Sequence, residues 1–362
     1  MTTAEMGELV RFIPGPSWVH PEVLEAQARA LIGHREVLTA ELQAQCEAGL
    51  KAIFQTRHRV LISSSSGSGL MEAAVRNLVT TRCLHLVCGS FSSRWFDMAR
   101  SCGKEPEALT VDDGCGITSD LLADHLTGHE AYETLFITHN ETSTGVVNPL
   151  AELCKVARGS NPDMLICVDT VSSMAGVPIP VDDFGIDFCV TSAQKCFSLP
   201  PGLAFASVSP RALEKAATVE NRGWYFDLIN LEKYAAKGHY PSTPAITLMY
   251  ALARQLGRIF SEGLSERYRR HRVMADKVRS WAETHAALFA KPGFRSDTLT
   301  AVETQGKIDF NQFSEFLAKR GFAVAGGYGE LKSHTFRVAH MGDIPMQSFD
   351  DLLEVMTECV TR

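Results

Sequence analysis

The stretch Ile186-Asp187-Phe188-Cys189-Val190-Thr191-Ser192-Ala193-Gln194-Lys195-Cys196 decides how the chain folds. Its first half is apolar on successive residues, the pattern of a strand covered on both faces. Its second half places a lysine just past the strand, ahead of the sharp turn Ser198-Leu199-Pro200-Pro201-Gly202. Five more strand candidates lie around it: RVLISS (59–64), LHLVC (84–88), ETLFITH (133–139), MLICVD (164–169) and LAFASVS (203–209). Helix-like segments at 69–80, 91–102, 117–126 and 149–158 alternate with them. That alternation predicts an α/β fold with a mostly parallel sheet wrapped by helices. A long helical stretch from about Ala245 to Phe289, interrupted near Gly263, follows. The tail from Lys291 onward mixes strands (LTAVET, TFRVAH) with helices (NQFSEFLAKR, FDDLLEVMTECV), the signature of a smaller α+β domain.

Length and composition narrow the function classes. At 362 residues the chain suits one large domain and a small one. A formal net charge of -7 leaves no basic stripe for a nucleic-acid backbone, so no nucleic acid is expected as a partner. Arg267, Arg269, Arg270 and Arg272 read as one solvated helix face. No apolar run is long enough to span a bilayer, and the opening MTTAEMGELV lacks the features of a secretory signal, so no membrane association is expected. The ten cysteines form no CxxC pair and no zinc-spaced cluster with histidine, so no metal is expected. Several sit inside apolar runs, where free cysteine acts as a small hydrophobe, and a reduced, cytoplasmic compartment fits them.

Three strand ends carry the chemistry, at the sheet edge where ligands bind in open α/β folds. Ser63 to Gly69, followed by the helical LMEAAVRNLV, is the strand–small residue–helix arrangement that offers backbone N–H groups to a phosphate. It equally suits plain turn and cap chemistry. Glu72 occupies the third glycine position of a dinucleotide fingerprint, and no Walker GK[ST] follows. Asp169 ends an apolar strand, where a carboxylate is either a turn former or the partner of a cation. Lys195 lies at the third end; a lone lysine would be a surface residue, but near an acid and a phosphate cradle it is a candidate for Schiff-base chemistry. In Thr335-Phe336-Arg337-Val338-Ala339, period two puts Phe336 and Val338 on one face and Arg337 on the other.

The ordered set SSGSGLMEA, GSFSSRW, ETSTG, VDTVSS and SAQK resembles the class V aminotransferases among the fold-type I pyridoxal-phosphate enzymes, nearest the alanine–glyoxylate and serine–pyruvate aminotransferases. The similarity runs from PGPS at 14–17 to GGYGELK and FRVAHMG near the end. It implies an aspartate-aminotransferase-like large domain with a seven-stranded sheet at 21–255. An arm at 1–20 would contribute to the active site, and a small domain would occupy 256–362. It makes Lys195 the Schiff-base lysine of pyridoxal 5'-phosphate and Asp169 the partner of the pyridine nitrogen. Val171 would pack on one ring face and Phe91 on the other, with Thr142 near the phenolate oxygen. Ser66, Gly67, Ser68 and Gln194 would hold the phosphate, and Tyr240 and Thr243 would reach it from a neighbouring subunit, implying a homodimer with shared active sites. Arg337 would hold the substrate α-carboxylate, with Gly15 and Trp18 closing that side. His34, Arg35 and Tyr328 sit on loops whose roles the sequence leaves open.

The expected reaction is transfer of an amino group from a small amino acid, alanine or serine, to glyoxylate or pyruvate by ping-pong kinetics. Two rivals share the fold: 2-aminoethylphosphonate transamination and a cysteine desulfurase-like lyase. The lyases commonly carry His before the lysine, where this chain has Gln194. A nucleotide-dependent oxidoreductase and a cofactor-free binding protein are the readings from other classes, and the joint presence of Lys195, Asp169 and the serine–glycine loop weighs against both.

Overall fold

The protein is described here from a computed structural model covering residues 9–129 and 131–362. The opening residues on which the leader reading rests, and the first eight of the expected arm, lie outside the described residues. Seven strands form the main sheet, in lateral order Arg59–Ser63, Ala204–Val208, Phe188–Ser192, Leu165–Asp169, Thr134–Thr138, Arg82–Val87 and Glu105–Thr110. Ala204–Val208 runs antiparallel to both neighbours and the other pairings are parallel. Successive residues of one strand feed two different cores. Val60 and Ile62 enter one and Leu61 the other; Ile166 and Val168 part from Leu165 and Cys167 in the same way. The first core packs beneath helices Val37–Phe54, Leu150–Ser160 and Ile246–Glu262, the second beneath Gly67–Leu78, Ser90–Ser101 and Pro210–Thr218. Continuous apolar strands are the direct result, since neither face is wet.

Glu105–Thr110 escaped the sequence reading. It is the sheet edge, holds Pro106, and of its six residues EPEALT only Leu109 is buried, so its hydrophobic signal is nearly absent. The helical stretch after Ala245 is two helices, Ile246–Glu262 and Leu264–His285, parted at Gly263, whose φ of 85° lies in the left-handed region open to glycine.

The smaller domain is a five-stranded sheet ordered Val10–Phe12, Phe322–Gly326, Thr335–Ala339, Leu299–Glu303 and Ala287–Leu288. Its core gathers Trp281, Phe313, Phe336, Val338 and Phe349 from the sheet and from helices Leu264–His285, Phe310–Lys319 and Met346–Thr361. The strand Val10–Phe12 pairs in parallel with Phe322–Gly326, so a segment from early in the sequence completes the sheet of the smaller domain.

The expected solvated face of four arginines is corrected at Arg267, which is 1% exposed. It donates through Nε to the Ala175 carbonyl (3.0 Å) and through Nη2 to the Cys196 carbonyl (2.6 Å). Its Nη1 pairs with Asp343 (2.8 Å) and Glu262 (2.8 Å). A buried cation is retained because its counter-charges and carbonyl acceptors are all in place. Replacing Arg267 by Ala leaves Asp343 buried and underpaired and should cost about 3–5 kcal/mol. Arg269→Ala, at an exposed position, should leave the urea unfolding midpoint unchanged; equal midpoints for the two variants would contradict this reading.

Candidate active site

The strands Arg59–Ser63, Leu165–Asp169 and Phe188–Ser192 point the same way, so their C-terminal ends open onto one edge of the sheet. A cavity of about 180 Å³ sits there. Ser66 caps helix Gly67–Leu78 in extended conformation (φ -85°, ψ 165°), and no side chain occupies the cap. Ser66, Gly67 and Ser68 line the cavity, so the helix's positive end faces it. A Cβ on Gly67 would meet Val171 Cγ2 at 2.8 Å and Ser192 Cβ at 3.4 Å, so glycine is required for the helix to approach Val171 this closely. Ser192 Oγ and Gln194 Oε1 are buried without a hydrogen-bond partner, and both residues line the same space. Buried polar atoms of this kind call for a ligand or water to satisfy them.

Asp169 and Lys195 face the cavity from adjacent strand ends. Asp169 Oδ1 accepts the Val171 N–H at 2.8 Å. Burial, with Glu141 adding to it, pushes the Asp169 carboxyl up to about 7, although the Val171 N–H and Lys195 pull the other way. Such an acid gains from a cation brought against it. Burial drives the Lys195 ammonium down to about 8, helped by Arg337. Its Nζ donates to the Pro14 carbonyl. A Cβ on Gly15 would lie 2.9 Å from Lys195 Cδ and Nζ, which fixes the arm against the amine. The lysine's own turn is held by Ser198 N–H (2.9 Å) and Ser17 Oγ (2.6 Å), both donating to its carbonyl.

The far wall is built on Glu141, which is fully buried. Its carboxylate accepts from the N–H groups of Phe91 (3.0 Å), Ser92 (2.9 Å) and Ser143 (3.1 Å), placing a negative charge at the N-terminus of helix Ser90–Ser101. This orients Phe91, which lines the cavity and packs on Tyr328 at 5.1 Å between ring centres. Arg94, one turn on, also lines the cavity; it lies 4.8 Å over the Phe91 ring and donates to Tyr328 Oη at 2.8 Å. Arg337 comes from the other domain. Phe336 and Val338 enter the small-domain core while Arg337 turns the opposite way, donating to the Thr142 carbonyl (3.1 Å) and the Gly326 carbonyl (2.9 Å). Thr142 itself faces the cavity.

The sequence matches the family described as Aminotransferase class-V over residues 30–336. The chain belongs to the class-V aminotransferases. An uncharacterised aminotransferase of Methanocaldococcus jannaschii is 36% identical over 336 residues, covering 91% of this chain and 87% of that protein. The L-aspartate–glyoxylate aminotransferase of Paracoccus denitrificans is 31% identical over 343 residues, 92% of this chain and 86% of that one. The crystal structure of an alanine–glyoxylate aminotransferase from Nostoc sp. superposes with a TM-score of 0.91 at 31% identity, covering 98% of this chain and 95% of that chain. The protein is thus a pyridoxal-phosphate-dependent aminotransferase with an aspartate-aminotransferase-like fold.

Within this class-V site, Ser66, Gly67, Ser68, Phe91, Thr142, Asp169, Val171, Gln194 and Lys195 line one cavity. Gly15 and Arg337 border it through the contacts above. Tyr240 and Thr243 do not line it in the same chain: Thr243 is exposed, and Tyr240 packs on the first core with its hydroxyl buried and unpartnered. Trp18 packs on the small-domain core, and Arg35 is exposed. Sequence reasoning passed over Arg94, Asn140, Ser172 and Ser192, which also line the cavity. Arg94 was within reach, because it follows Phe91 by three residues on one helix and so shares its face.

The cradle, the unpartnered Ser192 and Gln194 atoms and the Asp169–Lys195 pair fit pyridoxal phosphate: helix amides toward the phosphate, acid toward the ring nitrogen, amine toward the aldehyde. Only the neutral amine condenses with an aldehyde, and Lys195 is neutral above about 8. Capture of the cofactor by the stripped protein, read as borohydride-fixed label on Lys195, should therefore rise with pH, reach half its maximum near 8 and level off just above it. A rate still climbing toward about 10, the range of an ordinary lysine, would show that burial does not depress this amine.

Proposed function

We propose that the protein transfers the amino group of a small amino acid, alanine or serine, to glyoxylate or pyruvate by a ping-pong mechanism, with pyridoxal phosphate carried on Lys195. The observation that supports it most is the convergence of Lys195, Asp169 and the Ser66–Ser68 cradle on one cavity. Pyridoxal phosphate, when bound, supplies an electron sink for the substrate's α-carbon. Asp169 would face the ring nitrogen and favour its protonated form, for which its burial without a full counter-charge suits it. Lys195, whose amine burial brings down to about 8 and so closer to neutrality than an ordinary lysine, would accept the α-proton once displaced and return it on the other side of the reacting system. Arg337 grips the α-carboxylate through a planar fork already oriented by the Thr142 and Gly326 carbonyls. The Pro14–Gly15 segment closes the lysine side against water.

The lyase reading finds no support at Cys196, the cysteine next to the lysine. Burial raises its thiol to about 12, which leaves no thiolate for attack. A homodimer with shared sites is part of the proposal, with Tyr240 and Thr243 serving the neighbouring subunit's phosphate. Exposed apolar side chains at Leu31, Val37, Leu38 and Trp224 supply surface for such an interface.

Lys195→Ala should abolish turnover in a panel of amino donors against glyoxylate and pyruvate; normal transamination by that variant would overturn the assignment. Arg337→Lys should lower kcat/KM for carboxylate donors by about 10- to 150-fold, the worth of about 1.5–3 kcal/mol for a hydrogen-bonded charge.

One observation favours a second donor. Arg94 adds a cation to the cavity beyond Arg337, and a second carboxylate, as in aspartate, would meet it. With that donor, Arg94→Leu should reduce kcat/KM for aspartate far more than for alanine. Equal losses for both donors would restrict the reading to alanine and serine.

A further inference from the structure

At the edge of the main sheet farthest from Arg59–Ser63, Glu107 on strand Glu105–Thr110 meets His125, in the last turn of helix Ser119–Thr127, and His129 just beyond it. One ligand atom from each lies within 4.8 Å of the others. Glu107 Oε1 is 3.3 Å from His125 Nε2 and 3.2 Å from His129 Nε2. A tetrahedral ion with arms of about 2.0–2.1 Å separates its ligands by about 3.3 Å.

Hydrogen bonding fixes what these atoms can do. His129 Nδ1 lies 2.6 Å from the His125 carbonyl, which can only accept, so Nδ1 carries the proton. In the neutral ring the Nε2 lone pair then points at a carboxylate oxygen, an arrangement that repels unless a cation lies between. The two imidazoles stack at 4.0 Å between centres, and Arg82 already contributes a cation 3.0 Å from Glu107 Oε2.

We propose that Glu107, His125 and His129 form a binding site for a transition-metal dication, with water completing the shell on the exposed His129 side. Two imidazoles and one carboxylate, without thiolate, select zinc, copper or nickel over magnesium or calcium. Arg82 keeps Oε2, leaving Oε1 for the metal. The His125 carbonyl on His129 Nδ1 steadies that ligand from outside, while the Tyr132 hydroxyl, 3.1 Å from His125 Nε2, is the contact the metal would take over. Such an ion would staple the end of helix Ser119–Thr127 to the edge strand. The site is separate from the pyridoxal-phosphate cavity, which none of the three residues lines.

The test is zinc titration of the holoenzyme by calorimetry, with wild type, His129→Gln and Glu107→Gln side by side. Expected is one zinc per chain in wild type, unaffected by millimolar magnesium. Each variant should bind at least about tenfold more weakly, a loss that an outer-shell partner alone can cause, and keep full transamination. His129 is exposed and Glu107 half-buried, and retention of the cofactor's visible absorbance confirms that each variant is folded. Zinc bound equally well by wild type and both variants, or not bound by wild type, overturns the site; the first of these results would place the metal on other groups such as the partly exposed Cys102 and Cys115.

Discussion

A single buried guanidinium holds the catalytic edge of this protein together. Arg267 leaves the start of helix Leu264–His285 and bonds the carbonyl of Ala175, in the loop after Asp169, and that of Cys196, directly after Lys195. Its other pole pairs with Asp343, which follows the strand bearing Arg337. Asp169, Lys195 and Arg337 thus hang from one hydrogen-bonded hub. Carbonyl oxygens alone would not stabilise a cation taken out of water; the Asp343 and Glu262 carboxylates do.

That hub explains why Lys195 can remain buried with so little direct compensation. Its carbonyl and the next are committed to Ser17, Ser198 and Arg267, so the backbone cannot rotate the side chain out to solvent. The side chain adapts by losing its proton more readily, and Asp169 adapts oppositely by holding its own. Burial pushes both groups toward neutrality, the state that the proposed function asks of an amine meant to condense and an acid meant to meet a cation.

Much of this was legible in the sequence because buried strands and their ends carry strong local signals. Uniform apolar runs located six of the seven sheet strands, and the small-residue loops after them marked the cavity. What escaped depends on contacts between distant residues. Glu105–Thr110 is an edge strand with a mostly wet, charged sequence, and its membership rests on pairing with Arg82–Val87. Arg267 looks in sequence like its exposed neighbours Arg269 and Arg272; only the packing of its helix against the Lys195 turn distinguishes it. Glu141, inside the quoted ETSTG motif, is meaningful only once the N-terminus of helix Ser90–Ser101 is placed against it. Tyr240 and Thr243 do not line the cavity of their own chain.

The path of the arm has a mechanical corollary. Val10–Phe12 is stitched into the C-terminal sheet, yet five residues later Ser17 N–H and Oγ are bonded to the carbonyls of Gln194 and Lys195. The few residues between form a short leash spanning the two domains. If the smaller domain rocks, the leash transmits that displacement to Pro14 and Gly15, which press on the amine itself. Closure around a substrate and release of the lysine would then be one motion, geared through backbone rather than signalled through side chains.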